Sequence, residues 1–201
     1  MSYHHGNLRS ALLASATELA REAGPDAVVL REVARRTGVS HNAAYRHFAD
    51  RDALLEAVAE EGMAGLERLM RVRMAEVDAG EPAEAAMARL KAVGRAYVEF
   101  ALEEAGLFEA VFGGFTLLSQ VDSYQTSIEG PYVLLNQVLD ECVAAGAVDA
   151  AHRPGAELSC WAAVHGFAVL HQRGPLKLSP GPDRDAALEG MLDVFERGLR
   201  G

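Results

Sequence analysis

Cysteine is almost missing from this chain. Cys142 and Cys160 are the only two in 201 residues, too few for a disulfide framework or a zinc cluster. No apolar run approaches the roughly 20 residues needed to span a bilayer. The opening residues also lack the charged-then-apolar pattern of a secretory signal. A cytoplasmic protein in reducing surroundings is therefore expected. The sequence has no Gly-rich phosphate loop, no His-Glu-x-x-His pair and no nucleophile elbow. Cys160 and His165 lie five apart on one expected helix, roughly 500° of rotation at about 100° per residue, so they do not share a face. His4, His5, His41 and His47 have no recognisable ligand frame. The expectation is no catalytic residue, no cofactor and no metal.

Positive charge is also scarce, with 19 Lys and Arg against 29 Asp and Glu, a net charge of −10. Its distribution matters more than its sum. Residues 1–55 hold seven arginines and six acids, and four of the seven histidines; the rest of the chain carries the acidic excess. Phosphate binding depends on the field within about 8 Å, the Debye length at physiological salt. An acidic remainder is therefore compatible with a nucleic-acid-binding first quarter, while limiting non-specific attachment.

Leu30 to Phe48 reads LREVARRTGVSHNAAYRHF. In its first half Leu30, Val33, Ala34 and Thr37 share one helical face. Gly38 suits a tight corner that needs positive φ. Ser40 stands where a helix N-cap belongs. The second segment, His41 to Phe48, is expected to bury Ala44 and Phe48. Two short helices meeting at such a corner form a helix-turn-helix, whose second helix enters the major groove. Its N-terminal residues His41, Asn42 and Ala43 become the candidates for base contact. Asn can bond adenine bidentately, His can donate or accept, and Ala can touch a thymine methyl.

This run resembles the DNA-binding domain of the TetR family of bacterial transcriptional regulators. The likeness rests on the Leu-Arg-x-Val-Ala helix, the Gly-Val-Ser turn, the Tyr-x-His-Phe ending and the Asp50-Arg51-Asp52-Ala53-Leu54-Leu55 stretch that follows. The opening Tyr3 to Arg9 and the later Trp161-Ala162-Ala163-Val164-His165-Gly166 resemble a subgroup with a Trp–His–Gly signature. The resemblance implies phosphate contacts from Ser40, Tyr45, His47 and Arg51, with a weaker case for Tyr3 and His4. Two residues depart from the family pattern. Val29 replaces the usual Ser or Thr cap of the helix starting near Leu30, a loss of about 0.5–2 kcal/mol if uncompensated. Arg51 stands where Lys is more usual, a planar fork in place of a point charge.

The rest of the chain reads as helix, and the expected fold class is all-α. Helices are expected from Asn7 to Ala23, Asp50 to about Gly80, Pro82 to Ala105, Leu107 to Phe112, Ser127 to Ala145, Pro154 to Gln172 and Asp183 to Leu199. Stripes of Leu8, Leu12, Ala16, Leu19 and Ala23, then of Leu55, Val58, Gly62, Leu66 and Leu69, are expected to face inward. The division into domains is expected near residue 50: 1–50 for DNA and 51–201 for sensing and dimerisation.

The resemblance implies a homodimer on a palindromic operator, formed through the last two helices, with Leu158, Trp161, Leu188, Met191, Leu192 and Phe195 in the interface. It also implies an apolar effector cavity. Met63, Tyr97, Phe100, Phe108, Phe112, Trp161 and His165 are its candidates, with Met70, Phe115 and Tyr124 also available. Each of these residues would serve equally as ordinary core. The expected function is a ligand-responsive, sequence-specific regulator, most simply a repressor released by a small molecule. The alternative is a helical protein-interaction module with a degenerate helix-turn-helix and no operator.

Overall fold

A computed structural model describes residues 8–78, 80–113, 129–174, 176 and 182–200. Nine α-helices lie among them: α1 (Leu8–Ala23), α2 (Leu30–Thr37), α3 (His41–Tyr45), α4 (Arg51–Ala75), α5 (Pro82–Glu103), α6 (Ala105–Phe112), α7 (Glu129–Ala144), α8 (Ala156–Gln172) and α9 (Pro182–Arg200). Short 3-10 turns occur at Pro25–Ala27 and Ala150–His152. Every element among the described residues is helical, as the binary pattern required. None of these helices is long and apolar enough to cross a membrane. Tyr3, His4, His5, Asn7, Phe115 and Tyr124 lie outside the described residues.

The chain divides into two compact units, Met1–Gly65 with Glu104–Ile128, and Leu66–Glu103 with Glu129–Gly201. α4 therefore contributes to both units, and α6 belongs with the first despite its place in sequence.

In the first unit α1 packs on α2 and α6. Its buried face is Leu12, Ala16, Thr17, Leu19 and Ala20. The observed stripe is rotated from the expected one at both ends, since Leu8 is half-buried and Ala23 exposed. α6 is pressed against the end of α1 so closely that a Cβ on Gly106 would lie 1.9 Å from the Ala20 carbonyl oxygen. Only glycine can occupy that position without moving backbone. α4 buries Leu54, Ala57, Val58, Ala59 and Met63 before the boundary, then Leu66 and Met70 beyond it. Leu55 and Leu69, expected inside, are half-buried. Ala57 to Ala59 are buried consecutively, so α4 is covered on several sides and a single narrow stripe is the wrong description.

In the second unit α5 is central, packing on α7, α8 and α9. Leu90, Val93, Tyr97 and Phe100 are buried along it at helical spacing, with small Ala85, Ala86, Ala92, Ala96 and Ala101 buried as well. Ion pairs join α5 to α9. Lys91 Nζ reaches Asp193 at 2.5 Å and Glu196 at 3.1 Å, and Arg95 forms a fork on Glu189 at 2.5 and 2.6 Å. Arg200 reaches Glu84 at 3.1 Å. Arg153, after α7, ties Asp140 and Asn136 of that helix to Glu157 of α8. Partly exposed pairs of this kind are worth little individually and serve chiefly to set register.

Candidate nucleic-acid interface

The corner between α2 and α3 is built by local chemistry. α2 ends at Gly38, whose φ of 72° and ψ of 27° are left-handed. There the Gly38 amide donates to Arg35 O and the Val39 amide to Ala34 O at 3.0 Å, closing the helix end. Ser40 is extended, and its hydroxyl oxygen accepts the Ala43 amide at 3.2 Å, which caps α3. α3 is shorter than the expected run to Phe48, because regular helix stops at Tyr45 and turns carry the chain onward. The Phe48 amide still donates to Ala44 O at 3.1 Å, so Phe48 turns inward beneath α3 with Ala44. The Arg9 guanidinium lies 5.0 Å from the Phe48 ring centroid and covers it.

At the other end of α2, Val29 makes no side-chain cap and the helix starts at Leu30. The Glu32 and Val33 amides are satisfied by the Val29 carbonyl instead. The first amides of α2 thus have no capping side chain.

On the outer face of α3, His41 and Asn42 are exposed, and Tyr45 is exposed beside them. His41 and Tyr45 pack edge to face with ring centroids 4.7 Å apart, so each limits the other's rotamers. His47 is half-buried. Ala43 departs from the expectation of base contact. It is only 8% exposed, and its methyl packs inward beside Ala44 rather than outward toward a groove. It stands one turn after the Ser40 cap, buried like Ala44 and Phe48.

Arg51 has a use that the phosphate expectation did not include. Its Nε donates to Val28 O at 2.9 Å and its Nη2 to Pro25 O at 2.8 Å, with Asp26 at 3.6 Å. A planar fork donates to two carbonyls at once in a fixed geometry, whereas a lysine's ammonium is a flexible point charge. The Lys-to-Arg departure thereby braces the loop that precedes α2. At the N-terminus of α4, Asp50 Oδ1 caps by accepting the Ala53 amide at 2.8 Å.

Arg35 and Arg36 are engaged within the unit as well. Glu32 accepts from both, and Glu22 accepts from Arg36 at 2.8 Å. Hydrogen bonds from Arg35 and Arg36 pull the Glu32 carboxyl down to about 2. Arg31 and Arg46 are exposed and take part in no ion pair among the described residues. Arg46 adjoins Tyr45 at the end of α3, and sequence reasoning passed over it. Its position inside the Tyr-x-His-Phe motif was the available signal.

The residues suggested for an effector cavity fall in both units. Met63, Phe108 and Phe112 belong to the first, where Met63 and Phe108 are buried and the two phenyl rings lie 4.9 Å apart. Tyr97, Phe100, Trp161 and His165 belong to the second. There the structure joins three of them. Trp161 Nε1 donates to Tyr97 Oη at 3.2 Å, and Tyr97 Oη lies 2.8 Å from His165 Nδ1. Indole N–H can only donate, so the phenol oxygen accepts it, and the direction of the second bond, between phenol and Nδ1, follows the His165 tautomer. Desolvation holds the His165 imidazole below its ordinary 6.5. Both thiols are pushed up to about 11, chiefly by burial, which leaves them protonated and unreactive.

Of the suggested interface residues, Leu158 is 64% exposed, and Trp161, Leu188, Met191 and Phe195 are half-buried. Leu192 corrects the expectation. At 7% exposure it is core, with its Cδ2 against Gly94 of α5. Two exposed apolar residues were missed, Leu170 on α8 and Val194 on α9. Val194 continues a face with Ala187, Gly190 and Gly198 at helical spacing, a signal present in the sequence but hidden by the small residues.

Two family models match the chain. "Bacterial regulatory proteins, tetR family" covers residues 12–58, and "Tetracyclin repressor-like, C-terminal domain" covers 90–195. A 61-residue stretch is 39% identical to the HTH-type transcriptional repressor Rv3405c of Mycobacterium tuberculosis, spanning 30% of this chain and 32% of that protein. Among solved structures, a protein of unknown function from Rhodococcus sp. RHA1 aligns over 100% of both chains, with 33% identity and a TM-score of 0.83. The TetR transcriptional regulator SCO0520 from Streptomyces coelicolor is 30% identical over 96% of this chain and 98% of its own, with a TM-score of 0.56. The fatty acid degradation regulator FadR from Bacillus halodurans shares the fold at a TM-score of 0.73 and 16% identity, over 99% of each chain.

Proposed function

Because this chain belongs to the TetR family of bacterial regulatory proteins, a family of transcriptional regulators rather than enzymes, we propose that it is a homodimeric repressor released from a palindromic operator by a small molecule. The observation that carries this reading is the outer face of α3. His41, Asn42 and Tyr45 stand exposed there, Arg46 follows, and no acid interrupts the run from Thr37 to Ala49. Asn42 and His41 read base edges, whereas Tyr45, His47 and Arg46 hold phosphates. Ser40 serves the corner first, through its cap, and Arg51 braces the loop behind it.

One α3 offers few base contacts, so two copies act together on half-sites about one turn, ~34–36 Å, apart or a multiple of it. The exposed apolar residues Leu158, Leu170 and Val194, with small Ala187, Gly190 and Gly198, support pairing through α8 and α9. The Trp161–Tyr97–His165 chain supports an effector site in the C-terminal domain and a place in the Trp–His–Gly subgroup. An effector releases DNA only by binding the incompetent conformation more tightly. α4 is the continuous element along which that preference is passed.

In vitro selection from a random duplex pool tests function, symmetry and half-site spacing together. Enrichment of a palindrome supports the proposal, with affinity falling on the order of a thousandfold between about 50 and 200 mM salt as several phosphate contacts release their counterions. Failure to enrich any duplex at low ionic strength overturns it. Asn42→Ala should then relax base preference by about 1–3 kcal/mol at one position, while Tyr45→Phe weakens all sequences alike. Equal losses for Asn42→Ala on operator and random DNA would remove Asn42 from the reading set.

A further inference from the structure

His41 and Tyr45 stand at the two ends of α3, and a helix brings residues at that i, i+4 spacing onto one face. An aromatic side chain on a helix leans back toward the N-terminus, over the turn before it. Tyr45 accordingly meets the His41 ring edge to face, with centroids 4.7 Å apart and planes at 72°. Both residues are exposed, Tyr45 at 45%. The contact therefore lies on the outer face of α3, apart from Ala44 and Phe48, which are buried.

Reading a base edge with histidine requires that the orientation of its ring be set. A neutral imidazole carries one donor nitrogen and one acceptor nitrogen, and rotation about χ2, a broad torsion, exchanges their places. An unrestrained ring could offer either nitrogen to the groove. It would discriminate poorly among base pairs whose edges differ only in their pattern of donors and acceptors. A ring held against a neighbour offers one nitrogen and loses less freedom on binding.

We propose that Tyr45 is a positioning residue for base recognition, its ring fixing the His41 imidazole in one orientation while its hydroxyl is left for a phosphate. This rests on the regulator reading and deepens it. The two parts of one side chain then act separably. Loss of the hydroxyl weakens every duplex alike, whereas loss of the ring erases preference at the base pair that His41 reads.

The test uses the full chain as wild type, His41→Ala, Tyr45→Phe and Tyr45→Leu. Phenylalanine keeps the ring and removes the hydroxyl; leucine keeps apolar bulk and helix propensity and removes both. Each chain is taken through selection from a random duplex pool. The position that loses its preference in His41→Ala is the one His41 reads. There Tyr45→Phe should keep the wild-type preference and Tyr45→Leu should cut it about fivefold, with preference elsewhere in the half-site retained. In parallel, proton–carbon NMR of the full chain without DNA follows the imidazole resonances that His41→Ala removes. The neighbouring ring should displace them from free-histidine positions in the wild type and in Tyr45→Phe, and Tyr45→Leu should return them. Undisplaced resonances in the wild type, full preference in Tyr45→Leu, equal flattening at every position, equal losses in Tyr45→Phe and Tyr45→Leu, or no altered position in His41→Ala would each overturn the inference. None of these results touches the regulator reading. A wild-type chain that enriches no duplex would overturn that reading, and the inference with it.

Discussion

The α2–α3 corner and the α8–α9 pair use apolar residues in different ways. In the corner Leu30, Val33, Ala34, Ala44 and Phe48 are all buried, and the polar residues of α3 stand outside. In α8 and α9 the division is incomplete: Leu192 and Val164 are core, while Leu158, Leu170 and Val194 remain in solvent. The corner is therefore finished within one chain and presents chemistry outward. The long helices present uncovered apolar surface, on which the proposed pairing rests.

Phe48→Ala attacks the finished side of this comparison and should have the largest effect. It empties the space beneath α3 and uncovers Arg9, at a cost of about 3–5 kcal/mol, seen as a lower urea midpoint and lost operator binding. Val194→Asp attacks the unfinished side. An exposed position tolerates the charge in the protomer, so the first unfolding signal should change little. Pairing should weaken tenfold or more, about 1.4 kcal/mol or greater, as light scattering on a size-exclusion column would show. If Val194→Asp leaves a dimer at micromolar concentration, α9 is not the pairing surface and the contrast between the regions dissolves.

The arginines sharpen the comparison within the first unit. Arg46→Ala should lower the salt slope of DNA binding by about one while leaving the melting point unchanged. Arg51→Ala should do the reverse in emphasis, because it strips donors from the Pro25 and Val28 carbonyls. If the two variants exchange these behaviours, the structural use of Arg51 is wrong.

The smallest effect concerns His165. Its folded form resists protonation more than the unfolded chain does, because burial disfavours the charged ring. The unfolded state therefore takes up the proton first as pH falls. Stability from this group is present above 6.5 and lost below it. The loss should be small, since half-exposure lets water screen the charge. Urea midpoints measured on either side of that value should differ in the wild type and converge in His165→Gln.

The legible parts of the molecule were those with short-range causes. Gly38 at positive φ, the Ser40 and Asp50 caps and the buried faces of α2 and α5 each follow from residues within a turn or two of one another. The surroundings of Arg51, Ala43 and Leu192 were not legible, for the opposite reason. Arg51 finds its carbonyls more than twenty residues earlier, and the burial of Ala43 depends on what packs against α3. Leu192 is core only because Gly94 of α5 leaves room for it.

By itself the sequence determined that the chain is helical and that its first quarter turns a corner built for DNA. These follow from periodicity and capping, which act between near neighbours. Only the tertiary structure decided which leucine is core and which is surface, and that Arg51 meets loop carbonyls while Arg46 stands exposed. Those outcomes depend on what distant helices bring against a residue, and helical spacing alone cannot distinguish a face covered by its own chain from one left open.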